Sequence, residues 1–184
     1  MDIKKIVWHI SLQLKRFSFK TIGKYSYMGP VVSLIGKKRI TLGDRVRIYP
    51  GARMETHDNG EIVIKDDCSI AQNFHITSGK MPLVIGSKTT ISGNVFITNI
   101  DHEYRNIDKH IMEQPMICKK TEIGDNCFIG FGASIQAGTV LGKQCIVGTN
   151  AVVRGVFPDY SVIVGVPARI VKQYNKESGK WEKK

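Results

Sequence analysis

The chain has few of the features that mark several common classes of protein. It contains four cysteines in 184 residues, and none of them lies in a CxxC pair or in the Cys/His spacing of a zinc site. A disulfide framework is therefore not expected, and the cysteines are predicted to be small core residues. No apolar run is long enough to cross a membrane, and the start lacks the apolar core of a secretory signal. These absences predict a cytoplasmic protein.

Acidic residues are also scarce, since 16 Asp and Glu oppose 27 Lys and Arg and the formal net charge is +11. The excess lies at the two ends, because residues 1–47 carry eleven basic and two acidic side chains and residues 169–184 carry six and two. Basic ends suit nucleic acid, an anionic membrane or a phosphorylated ligand. The sequence has no helix-turn-helix pattern and no basic motif interleaved with aromatics, so a nucleic-acid partner is not expected.

Aliphatic residues recur every six positions in the second half of the chain, at Ile123, Ile129, Ile135, Leu141, Val147 and Val153. A small residue follows four positions after each of the first five, at Cys127, Ala133, Thr139, Cys145 and Ala151. A period of six fits neither an amphipathic helix nor a simple alternating strand. It is typical of short strands joined by tight turns, with three strands and eighteen residues in each coil, so that Ile123 stacks on Leu141. Gly and Asn are predicted to supply the turn conformations that β-branched residues resist.

The same phasing appears upstream with interruptions, at Leu42, Ile48, Ile64, Ile70, Ile85, Ile91 and Ile97. We therefore predict one all-β domain, a parallel β-helix over residues 40–169, with an excursion loop at about 100–122. Because this excursion leaves a regular scaffold and returns to it in phase, a functional role is expected for it. Residues 170–184 lose the repeat and are predicted to form a small basic cap and a frayed tail.

The N-terminal segment, within residues 1–39, has the pattern of an amphipathic helix. Apolar residues lie on one helical face, at Ile3, Ile6, Val7, Ile10, Leu14 and Phe17, and basic residues lie elsewhere. One interpretation is a helix that caps the first coil or packs at an oligomer interface. The alternative is a helix that lies on an anionic membrane surface, which would place the protein at the inner face of the membrane.

Three sequence features together resemble a known family. They are the hexads, the tract 97–104 that contains His102, and the late tract Val164–Arg169. Over roughly residues 40–172 they resemble the maltose and galactoside O-acetyltransferases, and more closely the bacterial polysaccharide O-acetyltransferases of that group. The resemblance implies a left-handed β-helix, a homotrimer, acetyl-CoA bound between adjacent subunits without a metal, and a sugar or glycan acceptor.

The resemblance also implies roles for particular residues. His102 aligns with the general base, a role that suits an imidazole because it can accept a proton near neutral pH. Asn73 aligns with a residue that contacts the acceptor, and Phe131 with the residue whose backbone N–H stabilises the oxyanion. Further contacts to acetyl-CoA are implied at Thr149, Arg154, Gly155, Arg169 and Lys172. Asp101, Glu103, Glu122 or a backbone carbonyl could orient the His102 ring, and the sequence does not choose between them.

The sequence thus predicts an acetyl-CoA-dependent O-acetyltransferase that acts on a sugar hydroxyl, most simply in surface polysaccharide biosynthesis. One alternative is an O-acetyltransferase that modifies an antibiotic, and another is a non-catalytic scaffold that kept only the fold. A zinc-dependent carbonic anhydrase on the same fold is not expected, because the five histidines lack its short His spacing. Phe128 stands where relatives carry Trp, and Thr77, Ser78 and Gly79 stand where they carry an acidic acceptor-binding residue. These departures affect the acceptor rather than the acetyl donor.

Overall fold

The computed structural model describes residues 2–184 and contains 24 strands with one α-helix. The strands of the first four coils are β1 (Thr21–Ile22), β2 (Tyr27–Met28), β3 (Val31–Ile35), β4 (Ile40–Leu42), β5 (Arg47–Ile48), β6 (Ala52–His57), β7 (Glu61–Ile64), β8 (Ser69–Ile70), β9 (His75–Gly79), β10 (Pro82–Ile85), β11 (Thr90–Ile91) and β12 (Phe96–Thr98). The later strands are β13 (Ile100–His102), β14 (Met116–Cys118), β15 (Thr121–Ile123), β16 (Phe128–Ile129), β17 (Ser134–Ile135), β18 (Val140–Leu141), β19 (Ile146–Val147), β20 (Val152–Val153), β21 (Val156–Phe157), β22 (Ser161–Gly165), β23 (Ala168–Asn175) and β24 (Lys180–Lys183). The helix is α1 (Ile3–Leu14), and short 3-10 helices cover Arg16–Ser18, Lys37–Arg39 and Ile111–Glu113.

Parallel pairing organises these strands into a solenoid with three faces. The first face contains β1, β4, β7, β10, β15, β18 and β21, the second contains β2, β5, β8, β11, β16, β19 and β22, and the third contains β3, β6, β9, β12, β17 and β20. Ile123 pairs with Leu141, Ile129 with Val147 and Ile135 with Val153, each eighteen positions apart. These side chains are buried in one continuous core. The predicted β-helix and its eighteen-residue register are therefore confirmed.

The solenoid extends beyond both ends of the predicted range 40–169. Strands β1, β2 and β3 form a first coil that pairs with β4, β5 and β6. Upstream coils are longer, since Ile22 pairs with Leu42 and Leu42 with Ile64, so the six-residue period is hidden there. At the other end, β23 and β24 continue the second face as antiparallel strands, so residues 170–183 are an ordered sheet extension rather than a frayed tail. Ladder hydrogen bonds of β23 to β22 and of β24 to β23 explain this order.

Helix α1 covers the open end of the first coil. It begins at the Asp2 cap, whose side chain accepts a hydrogen bond from the backbone N–H of Lys4. Leu12 is buried in the core cluster, and His9 Nδ1 lies 2.8 Å from the carbonyl of Ser26. The capping role predicted for this segment is therefore present. Within residues 2–184 no helix is long and apolar enough to cross a membrane.

The three edges between the faces are built differently. At the edge from the first to the second face, here the aspartate edge, Asp44, Asp66, Asp125 and Asp159 each accept a backbone N–H from the preceding coil. At the edge from the second to the third face, here the tight edge, left-handed turn residues are Gly or Asn: Gly51, Asn73, Asn94, Gly132 and Asn150. The turn chemistry predicted for Gly and Asn is thus found at the tight edge.

The prediction was wrong for other turns. On the aspartate edge Asn126 has a positive φ angle as predicted, but the other positive φ angles belong to residues that are neither Gly nor Asn, such as Arg45 and Gln144. The glycines that follow the hexad aliphatics serve close approach instead. A Cβ at Gly124 would lie 2.5 Å from the Gly142 carbonyl oxygen, and one at Gly130 would lie 2.7 Å from the Thr149 nitrogen. These positions need glycine because coils stack closely there.

The edge from the third to the first face, here the insertion edge, carries the extra residues of the fold. Extra residues lie there at 36–39, 58–60, 80–81 and 99–120, between the end of one strand and the start of the next. The last of these is the excursion, and its ends pair as the antiparallel strands β13 and β14. Cys68, Cys127 and Cys145 belong to the core as predicted, and burial raises the pKa of Cys68 to about 11. The prediction was wrong for Cys118, which is half-buried on β14 and lies outside the core.

Candidate functional site

The excursion and the outer side of the third face enclose a cleft of about 730 Å³. Side chains on the third face alternate between core and cleft, because successive residues of a strand point to opposite sides. Met54 and Ile76 are buried in the core, while their neighbours line the cleft. The cleft-lining residues of this face are Arg53, Glu55, His57, His75, Thr77, Phe96, Thr98 and Gln136. The excursion adds Ile100, Asp101, His102, Met112 and Met116.

His102 lies at the end of β13, opposite Met116 of β14, and is exposed to the cleft. Among residues 2–184 no hydrogen bond to its ring is formed. Three of the other four histidine rings are hydrogen-bonded: His9 with the Ser26 carbonyl, His75 with Thr77 and His110 with the Met112 N–H. The fourth, His57, lies 3.8 Å from the Glu55 carboxylate. Of the cleft histidines, His102 is the one carried by the excursion, and its ring has both nitrogens without a partner within residues 2–184.

Asp101 joins the excursion to the last coils of the solenoid. Its Oδ2 accepts a hydrogen bond from Arg154 Nη2 at 2.6 Å and lies 3.7 Å from Lys119 Nζ. Its Oδ1 accepts the backbone N–H of His102 at 3.1 Å. Burial raises the pKa of Asp101, but the hydrogen bonds from Arg154 and the His102 N–H outweigh that effect and keep the pKa below its usual value. The carboxylate therefore stays charged and fixes the backbone beside His102.

A buried amide anchors the base of the excursion. Asn99 is fully buried, and its Oδ1 accepts the backbone N–H of Gly79 at 2.7 Å. Its Nδ2 donates to the Ser78 hydroxyl and to the carbonyls of Gly79 and Met81. The excursion interrupts the ladder of backbone hydrogen bonds between neighbouring coils at this point. The Asn99 amide supplies hydrogen bonds to the buried backbone groups there in its place. Farther out, Gln114 binds the backbone of Asn106 and Lys109 in the same way.

A second polar cluster lies on β6 at the opposite side of the cleft. Glu55 is 4% exposed, and it accepts hydrogen bonds from Arg53 and from the Ser33 hydroxyl. The Arg53 guanidinium beside it holds the pKa of Glu55 below its usual value although burial opposes this. His57 Nε2 lies 3.8 Å from the same carboxylate. This wall therefore offers charged groups whose positions are fixed by one another.

His75 lies between these two clusters. Its Nε2 is 3.1 Å from the Thr77 hydroxyl, and its ring meets the Phe96 ring edge-on at 5.0 Å. Burial lowers the pKa of His75, and the positive charge of Arg53 lowers it further. The cleft floor is therefore a neutral imidazole beside an aromatic ring.

The predicted acetyl-CoA contacts fall into two groups. Arg154 and Gly155 lie at the insertion edge, and Arg154 lines the cleft with His102. The second group lies along the tight edge and consists of Phe131, Thr149 and Arg169. The Asn150 N–H donates to the Phe131 carbonyl there. Arg169 pairs with Val164, whose side chain packs next to Gly148 of the neighbouring coil. Lys172 is farther along β23, opposite Val162. The backbone N–H of Phe131 forms no hydrogen bond within residues 2–184.

Asn73 also lies on the tight edge and not in the cleft. It has a positive φ of 57°, and its side-chain amide donates to Asn94 Oδ1 at 3.0 Å. The conformation and the bond are those of a turn residue. In a single chain, therefore, His102 and Asn73 lie on opposite edges of the third face.

Sequence reasoning missed several residues of the cleft. Arg53, Glu55 and His57 belong to a coil in which the hexad phasing is interrupted, and no motif marks them. Asn99 lies within the tract 97–104 that contributes to the family resemblance, but only the fold shows that it is buried. None of the proposed orienting groups contacts the His102 ring, since Glu103 binds Arg105 and Glu122 binds Lys120. Among the described residues, 2–184, no group of three or more His, Cys, Asp or Glu is arranged to hold a metal ion.

Comparison with known proteins agrees with this architecture. Residues 120–155 match the family of bacterial transferase hexapeptide repeats (six repeats). The chain is 33% identical over 153 residues to WbbJ of Escherichia coli strain K12, which is named for O-acetyl transfer in lipopolysaccharide biosynthesis. The match covers 78% of this chain and 76% of WbbJ. A Mycobacterium tuberculosis protein named as an acetyltransferase is 37% identical over 134 residues, and this chain spans 44% of its length.

Solved structures show the same fold at low sequence identity. A mutant of the N-acyltransferase AntD from Bacillus cereus, in complex with dTDP and coenzyme A, superposes with a TM-score of 0.81 at 18% identity, covering 96% of this chain and 94% of AntD. Galactoside acetyltransferase in complex with coenzyme A gives a TM-score of 0.61 at 18% identity, covering 100% of this chain and 78% of that enzyme. Taken with the repeat, the register and the similarity to WbbJ, these findings show that the chain is an acyltransferase and belongs to the hexapeptide-repeat acetyltransferases.

Proposed function

We propose that this protein transfers the acetyl group of acetyl-CoA to a hydroxyl of a sugar in surface polysaccharide biosynthesis, with His102 as the general base. The observation that carries the proposal is the imidazole of His102, which is exposed to the cleft and forms no hydrogen bond within residues 2–184, whereas the His75 ring on the cleft floor is hydrogen-bonded to Thr77. The name of WbbJ, the relative at 33% identity, supports the oxygen acceptor and the polysaccharide context.

The reaction follows from the chemistry of these groups. The His102 ring takes the proton of the acceptor hydroxyl while the oxygen attacks the thioester carbonyl carbon. The carbonyl oxygen becomes an oxyanion, and the unengaged backbone N–H of Phe131 donates a hydrogen bond to it. The tetrahedral intermediate then collapses and expels the CoA thiolate, which receives the proton from the imidazolium. The products are the sugar ester and CoA.

The positions of these groups support an active site shared between two subunits of a homotrimer. Phe131 and His102 lie on opposite edges of the third face. About five extended residues span this face, so its two edges are roughly 15 Å apart. Reacting atoms must come within about 3.5 Å, so the two groups of one chain do not serve the same reaction. A neighbouring copy that places its tight edge against this insertion edge brings Phe131, Thr149 and Arg169 of one chain to His102 of the other.

This arrangement also accommodates the remaining predicted contacts. The cationic side chains Arg169 and Lys172 suit the phosphates of acetyl-CoA on one subunit. Arg154 and Gly155 of the other subunit would meet the same molecule beside His102, and Arg154 keeps further N–H donors beyond the one bound to Asp101. Asn73 would approach the acceptor from the tight edge, across from the cleft wall of Arg53, Glu55 and His57. We propose that the enzyme carries out this reaction at the cytoplasmic face of a membrane.

The test is CoA release from acetyl-CoA with a panel of sugars and glycan fragments, followed by detection of the acetyl ester. His102→Ala should lower turnover at least about a hundredfold while the oligomer stays intact by light scattering. His9→Ala is the matched control, because His9 belongs to helix α1 and does not line the cleft. Near-normal turnover in His102→Ala would exclude the mechanism, and wild-type protein that accepts only antibiotics would favour the alternative acceptor class.

A further inference from the structure

Helix α1 has two apolar sides, and the solenoid uses only one of them. On the inner side Leu12 is buried, Trp8 lies among the rings of Tyr27 and Tyr49, and Gln13 donates to the Gly23 carbonyl. These contacts fix the orientation of the helix on the first coil. The outer side therefore faces away from the solenoid in a defined direction.

The outer side carries a continuous apolar stripe. Its side chains are between 52% and 86% exposed, and they are Ile3, Val7, Ile10, Leu14 and Phe17. Their spacing alternates between four and three residues, so they line one face of the helix and its continuation. Apolar residues scattered singly on a surface are ordinary, but an ordered row of this kind marks an interaction surface.

Positive charge borders this stripe. Lys4, Lys15, Arg16 and Lys20 are exposed beside it, and residues 1–47 carry eleven basic side chains against two acidic ones. Lys20 binds Glu61, but the other three form no ion pair within residues 2–184. An apolar row bordered by cationic side chains is complementary to a surface that is apolar within and anionic at its boundary.

We propose that the outer stripe of helix α1 docks the enzyme onto an anionic lipid surface. The helix lies in the interface, with its apolar side chains among the acyl chains and its lysines at the headgroups. Twelve residues are too few to cross a bilayer, which needs about twenty. A second copy of the chain is a poorer occupant, because stripe-to-stripe pairing would bring Lys4, Lys15 and Arg16 against their equivalents.

Docking gains strength from the trimer, a contribution that rests on the proposed function. Three parallel solenoids present their first coils, and hence three copies of α1, at one end of the assembly. A single short stripe binds lipid weakly, but three stripes on one rigid body can engage the same plane together. The cleft would then be held at a constant distance from the membrane.

The experiment is co-sedimentation of the full chain with phosphatidylcholine vesicles, with and without roughly one third phosphatidylglycerol. Wild-type protein should bind the anionic vesicles and lose most binding when salt is raised to about 1 M. The triple variant Val7→Ser, Leu14→Ser, Phe17→Ser should bind at least about tenfold less. Val32→Ser is the matched control, since Val32 is 74% exposed on the first coil away from the helix, and it should bind normally.

A charge variant, Lys4→Gln with Lys15→Gln and Arg16→Gln, should also bind less to the anionic vesicles. Its control carries the three substitutions Lys180→Gln, Lys183→Gln and Lys184→Gln at the other end of the chain and should bind more than the charge variant. Circular dichroism confirms that each variant is folded. Equal binding by the stripe variant and Val32→Ser would overturn the proposal, as would wild-type protein that does not sediment with anionic vesicles. A stripe variant that only reduces the number of subunits would overturn it too and assign the stripe to a contact between copies. Vesicle binding needs no acceptor or acetyl-CoA, so it is independent of whether the acetyl-transfer assay succeeds.

Discussion

Arg154 donates a hydrogen bond to Asp101 across 2.6 Å, although 53 residues of sequence separate the two. The pair joins the insertion edge of a late coil to the strand that carries His102. Asn99, the pairing of β13 with β14 and the hydrogen bond from Lys80 to the Met116 carbonyl hold the base of the excursion. The Arg154 contact adds a tie between the late coils and the residue beside His102.

The pair predicts matched losses from either partner. Asp101→Asn and Arg154→Gln should each lower kcat roughly ten- to a hundredfold, because either change releases the backbone beside His102. The double variant should be little worse than either single one, as expected for residues that act as a unit. Steady-state kinetics of the four proteins measure this. If Arg154 served only the phosphates of acetyl-CoA, Arg154→Gln would instead raise KM for acetyl-CoA, and Asp101→Asn would not.

The unengaged N–H of Phe131 can be removed without breaking any other bond. Phe131 precedes Gly132, which has a φ of +68°, so it stands where a tight turn of this type accepts proline. Phe131→Pro should lower kcat about a hundred- to a thousandfold, as loss of an oxyanion donor does. Phe131→Ala keeps the N–H and should retain most activity. Equal loss in both variants would show that the ring, rather than the N–H, is needed.

The same variant tests whether each active site is shared between subunits. Co-expressed His102→Ala and Phe131→Pro chains should form mixed trimers in which about one quarter of the sites combine an intact imidazole with an intact N–H. Activity should therefore reappear in the mixture although each parent is inactive. Mixed oligomers that stay inactive would place both groups in one chain.

Asn99 should be important for stability as well as for the excursion. Asn99→Ala leaves the buried Gly79 N–H without a partner and removes one of the donors to the carbonyls of Gly79 and Met81, which should cost about 1–3 kcal/mol of unfolding free energy. Asn94→Gly is the control, because it removes an amide on the exposed tight edge while glycine accepts the positive φ there. Denaturant unfolding of both variants measures the difference, and equal stabilities would contradict the anchoring role.

The lowered pKa of His75 gives the fold a dependence on pH. The pKa of His75 in the folded chain lies below its ordinary value of 6.5. When the pH falls below 6.5, the unfolded chain therefore binds a proton at this residue that the folded chain does not yet bind. This contribution to stability is present above 6.5 and is lost as pH falls towards the folded pKa. His75→Asn should therefore flatten the decline of unfolding free energy over that window. Proton NMR should show the His75 ring titrating below 6.5, and a midpoint above it would refute the assignment.

Much of the fold could be predicted because the hexad pattern is local and repeated. Ile123, Ile129 and Ile135 predict their partners eighteen residues later, and the register confirms all three. The first coil could not be predicted in this way, because insertions lengthen the spacing from Ile22 to Leu42 and hide the period. The order of the C-terminal strands was likewise hidden, since β23 pairs with β22 and β24 pairs with β23 through the backbone of residues with no repeat.

By itself the sequence determined the β-helix, the position of the excursion and, through the resemblance, His102 as the candidate base. Only the tertiary structure decided which polar residues share the cleft with it, because Arg53, Glu55 and Arg154 come from distant coils that stacking brings together. It also decided that His102 and Phe131 stand on opposite edges, and that helix α1 caps the solenoid with one side while leaving the other exposed. The physical reason is that a hexad specifies which side chains face the core, whereas the outer surface depends on the length of each insertion and on which coils lie side by side.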